Sequence, residues 1–271
     1  MERYRVVIIV ATLVVIVGLL GFIFFKKQQQ KQVPSAAEAV DEVREQLDPP
    51  EVETAVPPEL VQPPVPPETP RWRAEGVTLV ESDPTLRGIV RELSGHPLLA
   101  RMLAVDDLAA TFVTAVDNLA EGATPARHLA GLAPEDPFAP EAAGETYLFS
   151  TENAGRYDLL TGLLLSLSPE DCVELYRTFY PLLSQSYTEL GYPDGNFHLA
   201  AVRALRHLLE TPTPAGPVVL ERQVTTWGFA DPRLEELSAA RKQLLRCGPD
   251  NGRRIRQWLS EVEQLLIATA P

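Results

Sequence analysis

The sequence is poor in the residues that most protein chemistry uses. Its 271 residues include only two cysteines and four histidines. The cysteines, Cys172 and Cys247, lie far apart, and no pair separated by two residues occurs, so the sequence does not predict a zinc site. In an extracytoplasmic domain the two cysteines could form a disulfide, and otherwise they are two separate, half-buried thiols.

The familiar catalytic motifs are also missing. The chain has no Gly-x-Ser-x-Gly and no His-Glu-x-x-His pattern. Asp194, Asn196 and His198 alternate as ligands of a calcium loop do, but the later glycine and the distal glutamate of that loop are missing, and turn chemistry explains them better. We therefore expect no catalytic residues, no cofactor and no metal, which makes an enzyme the less favoured interpretation.

Positive charge is in deficit. The chain has 24 lysines and arginines against 37 aspartates and glutamates, which gives a formal net charge of -13. Because nucleic acid binds to a net basic face, we do not expect nucleic acid to be a partner. The one basic cluster, Arg253, Arg254 and Arg256, has the spacing of a solvated helix face.

An apolar run stands near the start of the chain. Residues Val6 to Phe25 carry no charge, and about 20 such residues cross the hydrocarbon core of a bilayer as a helix. This pattern predicts that residues 1–33 are a membrane anchor, with residues 6–25 in contact with the lipid bilayer. A cleaved signal peptide is the competing interpretation, but its apolar region is usually shorter, and here Lys26 and Lys27 follow instead of a small-residue cleavage site.

Residues 34–75 form an acidic, proline-rich stretch with repeated Pro-Pro pairs. Such a stretch cannot build a core, so it is predicted to be a disordered linker that could hold a domain up to roughly 100 Å from the bilayer at about 3.1 Å per residue. A proline-motif ligand for a partner domain is the alternative. The basic residues on the two sides of the anchor nearly balance, so the positive-inside rule does not decide its orientation. The acidic, proline-rich stretch is typical of an extracytoplasmic spacer and favours a C-terminal region outside the cytoplasm.

Residues 76–271 carry the periodicity of a helical globular domain, organised around a hairpin from Ser168 to Leu209. Ser168 is the expected N-cap, and Pro181 is expected inside the first helix, on its solvated side. The apolar stripe of that helix is Cys172, Leu175, Tyr176, Phe179, Leu182, Leu183, Tyr187 and Leu190, and the solvated side is Glu174, Thr178, Pro181, Gln185 and Thr188.

The same patterns predict the rest of the domain. Helices are expected to begin at Asp83, Asp106, Thr151, Asp231 and Pro249. Two extended segments, 146–149 and 218–224, are expected to pair, with Val218, Leu220 and Val224 facing inwards. The predicted class is mainly α, with at most a small two-stranded element.

Tyrosines gather around the hairpin, with arginine and aspartate nearby. Tyrosine and arginine are enriched at binding hot spots, but tyrosine equally suits a half-buried core boundary. The arginines of the last helix either are neutralised by carboxylates from other helices or dock an acidic partner. The candidate binding surface comprises Tyr157, Arg177, Tyr180, Tyr187, Tyr192, Asp194, Arg253 and Arg254.

Several motifs carry a family resemblance. They are Leu175-Tyr176-x-x-Phe179-Tyr180-Pro181-Leu182-Leu183, Tyr187-x-x-Leu190-Gly191-Tyr192-Pro193, Phe229-Ala230-Asp231-Pro232 and Val116-Asp117-Asn118-Leu119. With them the chain resembles the bacterial domain-of-unknown-function family 3014 over most of residues 84–266. The resemblance implies an N-terminal anchor, a proline-rich linker and a C-terminal domain in the envelope of Gram-negative bacteria. It implies no activity.

Two functional hypotheses follow from these observations. The first is a single-pass protein of the bacterial inner membrane that presents a helical binding or scaffolding module in the periplasm to an unknown envelope protein. The second is a membrane-tethered enzyme that acts on cell-envelope material. A deep polar cleft with converging tyrosine, aspartate, arginine and histidine side chains would favour the second hypothesis.

Overall fold

The computed structural model describes residues 63–125, 134, 137–224 and 226–267. The predicted membrane anchor, Val6 to Phe25, and most of the predicted linker lie outside the described residues. Within these ranges, no helix is both long and apolar enough to cross a membrane.

Ten helices and four short strands make up the described part of the chain. The helices are α1 Ser82–Leu93, α2 Pro97–Met102, α3 Leu108–Ala120, α4 Thr151–Gly155, α5 Asp158–Leu165, α6 Pro169–Glu189, α7 Phe197–Leu209, α8 Pro232–Glu235, α9 Ala239–Arg246 and α10 Pro249–Ile267. The strands are β1 Glu141–Ala143, β2 Thr146–Leu148, β3 Val219–Arg222 and β4 Trp227–Phe229. The prediction of a mainly helical domain is confirmed.

The helix α6 lies at the centre of the core, packed against α3 and α10. It begins as predicted: the Ser168 hydroxyl accepts a hydrogen bond from the Asp171 amide at 3.2 Å, and Pro169 occupies the first turn. Its apolar stripe is buried from Cys172 to Tyr187. Leu190 is the exception, 40% exposed, because it lies at the C-terminal cap of the helix.

Pro181 lies inside α6 and is exposed, as predicted. The helix continues through it because the proline ring is on the side away from the core, where the carbonyl group that loses its amide partner can reach water. Thr178 was expected on that solvated side but is buried, and its hydroxyl donates to the Glu174 carbonyl at 2.9 Å. A threonine can be buried in a helix because its hydroxyl bonds the preceding turn.

The second helix of the hairpin, α7, packs most extensively on α3. It begins at an Asn196 cap whose side chain accepts from the Leu199 amide at 3.1 Å. The helix α10 closes the other side of the core, and its Trp258 indole donates to the Leu167 carbonyl at 2.8 Å. The predicted buried stripe of α10 is confirmed at Ile255, Trp258, Leu259, Val262 and Leu266.

The strands form one antiparallel sheet in the order β1-β2-β3-β4. The predicted pairing of β2 with β3 is confirmed, with Tyr147 opposite Leu220. The limit of two strands was wrong, because β1 and β4 extend the sheet on both sides. Each of them has three residues, which is too short to produce an alternating pattern in the sequence. Of the three residues expected inside, Leu220 is buried, whereas Val224 is fully exposed.

Two predicted caps, Asp83 and Thr151, are corrected by the structure. The predicted start at Asp231 is confirmed, since its side chain accepts from the Arg233 amide at 3.0 Å, but the helix that it begins is shorter than predicted. Asp83 lies in α1 but accepts from the Asp107 and Leu108 amides, at 2.9 and 2.8 Å, and so satisfies the start of α3. Ser150, rather than Thr151, caps α4. The helix predicted from Asp231 to Gly248 is two helices, because Ser238 caps α9 by accepting from the Arg241 amide at 3.2 Å.

The globular region begins earlier than residue 76, where the sequence predicted its start. Residues that precede this boundary already pack against the helices. Trp72 is 3% exposed and belongs to the core. Next to it, the Arg71 amide donates to a Glu174 carboxylate oxygen at 2.6 Å, and the Arg71 guanidinium contacts Asp171 at 3.1 Å. The segment is therefore attached to the first two turns of α6.

The two cysteines do not form a disulfide with each other. Cys172 lies near the start of α6 and Cys247 follows α9, and both are buried. Burial raises the pKa of the Cys247 thiol, and this thiol donates to the Gln243 carbonyl at 3.6 Å. Two separate thiols, rather than the bridge considered from the sequence, are what the structure contains.

Candidate functional site

The hairpin of α6 and α7 holds tyrosines in two different environments. We call the first the inner tyrosine cluster, consisting of Tyr176, Tyr180 and His198. The Tyr176 hydroxyl lies 3.0 Å from His198 Nδ1, and the two tyrosine rings are 5.7 Å apart. All three side chains are buried. The cluster is therefore part of the core.

Burial sets the protonation of the inner cluster. Burial, together with the charge of Arg177, lowers the pKa of His198 to about 4, so the imidazole is neutral at pH 7. Burial also raises the pKa of Tyr176 well above its usual value, which keeps the phenol protonated. The neutral phenol can thus donate to the neutral imidazole, an arrangement that stabilises the core and has no access to solvent.

The outer tyrosine cluster, consisting of Asp117, Tyr187 and Tyr192, lies where the turn after α6 meets α3. The Tyr187 and Tyr192 rings are stacked, with centroids 4.5 Å apart and planes at 15°. Their hydroxyls donate to the two carboxylate oxygens of Asp117 at 3.4 and 3.1 Å. Tyr187 is 7% exposed and Tyr192 is 40% exposed, so the stack has one buried ring and one ring open to solvent.

Two glycines of the turn make this arrangement possible. Gly191 has a φ of +123°, which places the chain beyond α6 in a conformation that side chains rarely adopt. A Cβ on Gly195 would lie 2.7 Å from both the Tyr187 Cε1 and the Tyr192 Cβ atoms. The backbone at Gly195 therefore packs directly against the stacked tyrosines and fixes their position.

Electrostatics make the outer cluster a hydrogen-bonding surface. Burial and the neighbouring Glu121 raise the pKa of Asp117, although the two tyrosine hydroxyls act in the opposite direction. Burial and the charge of Asp117 raise the pKa of Tyr187 to about 12, so its phenol remains a donor at neutral pH. Glu121, itself exposed, pairs with Arg203 of α7 at 3.2 Å at the rim.

The remaining candidate residues lie elsewhere, apart from Asp194, which is exposed in the turn between Tyr192 and Gly195. Tyr180 belongs to the inner cluster. Tyr157 is buried and accepts from Gln243 at 3.4 Å. Arg177 is half-buried and donates to the Leu265 carbonyl at 2.5 Å. The structure thus brings together two of the eight candidates through a direct contact, Tyr187 and Tyr192.

Arg253 and Arg254 are both exposed on α10. Arg253 pairs with Asp250, three residues earlier in the same helix, at 2.7 Å. Arg254 lines a shallow cleft with Ser168 and Trp258. Among the described residues, no carboxylate of another helix pairs with either arginine, so the neutralisation expected from the sequence is not found. Arg253 pairs within its own helix instead.

Asp117 was absent from the candidates, although it organises the outer cluster. The sequence feature that could have identified Asp117 is the motif Val116-Asp117-Asn118-Leu119, which is one of the motifs that carry the family resemblance. The two tyrosines belong to another of those motifs, Tyr187-x-x-Leu190-Gly191-Tyr192-Pro193. Two motifs that are distant in sequence are therefore in contact through these hydrogen bonds.

A serine and a histidine also meet at the surface. Ser238 Oγ lies 2.7 Å from His207 Nε2, and burial followed by the charge of Arg241 lowers the pKa of His207. The same serine oxygen accepts from the Arg241 amide as the cap of α9. Among the described residues, no group of three or more histidine, cysteine, aspartate or glutamate side chains is arranged to hold a metal ion.

Comparison with protein families decides the classification. A family model described as "Protein of unknown function (DUF3014)" matches residues 108–263. The chain belongs to this family. The DUF3014 range begins at the first residue of α3 and ends within α10, so it contains both tyrosine clusters and the whole sheet. No curated protein and no solved structure matches the chain.

Proposed function

We propose that this DUF3014 protein is a single-pass inner-membrane protein whose helical domain binds a protein of the bacterial envelope, and that the outer tyrosine cluster is the contact surface. The observation that best supports the choice of this surface is that two stacked tyrosines donate hydrogen bonds to the Asp117 carboxylate, and that one of these tyrosines is open to solvent. The apolar run Val6 to Phe25 supports the membrane part of this proposal.

The outer cluster has the properties of a preorganised contact. A tyrosine presents a large, rigid surface with little rotational freedom to lose, and the stack restricts Tyr192 further. Asp117 and Glu121 add negative charge beside the exposed ring. A partner arginine or lysine could lie over the Tyr192 ring and pair with these carboxylates, which favours a cationic side chain as the partner's anchor.

The test places a photo-crosslinking amino acid at Asp194, which is exposed and next to the cluster, in the full-length protein in its native cell. The matched control places it at Arg253, which is exposed on α10. We expect a discrete adduct from position 194 that Asp117→Asn weakens. Identical adducts from both positions, or an adduct at 194 that is insensitive to Asp117→Asn, would contradict the proposed surface.

The membrane orientation has its own test. A reporter that is active only outside the cytoplasm, fused after Pro271, is expected to be active. An inactive external reporter together with an active cytoplasmic one would reverse the proposed topology without affecting the choice of binding surface.

The contact between Ser238 and His207 is the observation that favours the second function, a tethered enzyme, because a serine nucleophile needs a base in reach. The helix-capping bond of the same oxygen gives the serine a structural role. A fluorophosphonate probe separates the two functions. If the probe labels the intact protein and Ser238→Ala abolishes the labelling, the serine is reactive. We expect no labelling of the intact protein.

A further inference from the structure

A cavity of about 130 Å³ lies between the loop after α7, the end of α9 and the start of α10. It is separate from both tyrosine clusters. Most of its wall is apolar, formed by Phe149, Pro214, Pro217, Val218, Leu244 and Leu245. A cavity of about 150 Å³ holds a benzene molecule, and this slightly smaller cavity, which opens to solvent on one side, has room for an apolar group up to about that size.

The walls of the cavity are fixed by the structure around them. Gly248 has a φ of +83°, and a Cβ at this position would overlap the side chain of Ala154. The Asn251 amide group donates to the Ala154 carbonyl at 3.2 Å and to Asp158 at 2.8 Å, which ties the start of α10 to α4 and α5. Three prolines stiffen the loop on the opposite side, 211–218. The cavity is thus formed before any ligand arrives.

One charged side chain lines this cavity, the half-buried Arg256. It donates from Nη2 to the Thr213 hydroxyl at 2.9 Å, and no carboxylate of the described residues pairs with it. Burial lowers the pKa of Arg256, with no neighbouring charge to oppose the effect. Its guanidinium packs against Gly252, where a Cβ would lie 3.4 Å from Nη1. A desolvated arginine without a counter-charge favours binding of an anion.

We propose that this cavity binds a ligand that carries a carboxylate next to a branched aliphatic or aromatic group. The apolar group enters the cavity, and the carboxylate accepts hydrogen bonds from Arg256 and Thr213 at its edge. Two kinds of molecule present this chemistry, a free carboxylic acid and the C-terminal residue of a peptide. Arginine suits both because its planar donors match a carboxylate.

The first measurement uses the full-length chain and the probe 4-fluorophenylacetate, followed by ¹⁹F NMR line broadening. The matched probe, 4-fluorophenylacetamide, has the same ring without the charge. We expect the acid to bind and the amide to bind at least about tenfold more weakly, because the amide has no negative charge to pair with the Arg256 guanidinium. No binding of the acid, or equal binding of the two probes, overturns the proposal.

Two arginines of the same helix provide matched variants. Arg256→Gln is expected to weaken binding of the acid about tenfold and to leave the amide unchanged, whereas Arg254→Gln, outside this cavity, changes neither. Val218→Phe keeps the arginine but fills the cavity, and it should abolish binding of both probes. Circular dichroism checks that each variant is folded. If Arg254→Gln weakens binding as much as Arg256→Gln, the cavity is not the site.

Competition against the fluorinated probe distinguishes the two sources. Displacement by a peptide that ends in a free-acid phenylalanine, at lower concentration than by phenylacetate, identifies a peptide C-terminus as the ligand. The reverse order identifies a free acid. The peptide with an amidated end should not compete. If neither compound displaces the probe, its binding is unspecific and the proposal fails.

Discussion

The inner and outer tyrosine clusters both include tyrosines of α6, but they differ in what surrounds the hydroxyl groups. In the inner cluster the Tyr176 hydroxyl meets a neutral histidine and both groups are buried. In the outer cluster the Tyr192 hydroxyl meets a carboxylate, and its ring is 40% exposed. Tyrosine is therefore a core residue at position 176 and a surface residue at position 192.

Phe197 connects the two environments. This fully buried ring lies 6.3 Å from Tyr176 and 5.4 Å from Tyr187, measured between centroids. A bound partner that moved the outer cluster would therefore press on a ring that also supports the inner one. The two clusters contain the same residue type, and it is the exposure of Tyr192 that distinguishes the candidate contact surface from the core. Four experiments test this distinction.

The largest effect is expected from Phe197→Ala, because Phe197 contacts both clusters and also forms a T-shaped pair with Phe112, with ring centroids 5.8 Å apart. Removing a buried phenylalanine generally costs about 3–5 kcal/mol. Urea unfolding measures the loss. Leu159→Ala, at a position 54% exposed, is the control and should change stability little. A small loss for Phe197→Ala would contradict the role of this ring as a support of both clusters.

The pH dependence of stability should carry the signature of the inner cluster. The pKa of His198 falls from 6.5 in the unfolded chain to about 4 in the fold, so the unfolded chain binds the proton more readily between these values. Stability is therefore expected to fall as pH drops from about 6.5 towards 4, by at most about 1.4 kcal/mol per pH unit from this group.

Burial also lowers the pKa of His96 and His207, so these residues contribute to the same pH dependence. The variant His198→Asn removes only the contribution of His198. Urea unfolding at several pH values should show a shallower dependence in the variant than in the unchanged protein. Asp117 acts in the opposite direction: its pKa is raised in the fold, so its contribution to stability is lost as pH rises through that raised value. Parallel curves for the two proteins would contradict the buried, neutral histidine.

Tyr176→Phe removes one hydroxyl from the inner cluster. It leaves the buried His198 Nδ1 without its partner at 3.0 Å, which is expected to cost about 1–3 kcal/mol of the free energy of unfolding. Urea unfolding of the full chain measures the change. A neutral result would indicate that water enters beside His198.

Tyr192→Phe makes the same chemical change in the outer cluster, with the smallest effect on stability. The ring is partly exposed and Tyr187 still donates to Asp117, so we expect a change within about 0.5 kcal/mol. The adduct formed from position 194 should nevertheless weaken. Tyr176→Phe is the matched control for this adduct, and equal weakening by both variants would remove the functional distinction between the clusters.

Long periodic segments were predictable from the sequence because many residues repeat the same signal. The helices α6, α7 and α10 have continuous apolar stripes, and the stripe on both sides of Pro181 was enough to place this proline inside a helix. The strands β1 and β4 have too few residues to repeat a signal. Their existence depends on pairing with β2 and β3, which is a tertiary property.

Contacts between distant residues explain the other corrections. Asp83 has the position of a helix cap in the sequence, but the amides that it satisfies are 24 and 25 residues away. Tyr192 could be chosen as a candidate by its type and surroundings, whereas its partner Asp117 is 75 residues earlier. Local patterns therefore predicted the tyrosines of the candidate surface but could not predict the carboxylate that orients them.

The attachment at Arg71 and Trp72 determines where a mechanical force would enter this domain. Tension along the preceding chain would reach the protein at a buried indole and at two carboxylates, Asp171 and Glu174, on the first turns of α6. It would act on the central helix, which packs against both α3 and α10, before it acted on α1. A domain pulled at this point should resist being peeled apart one helix at a time.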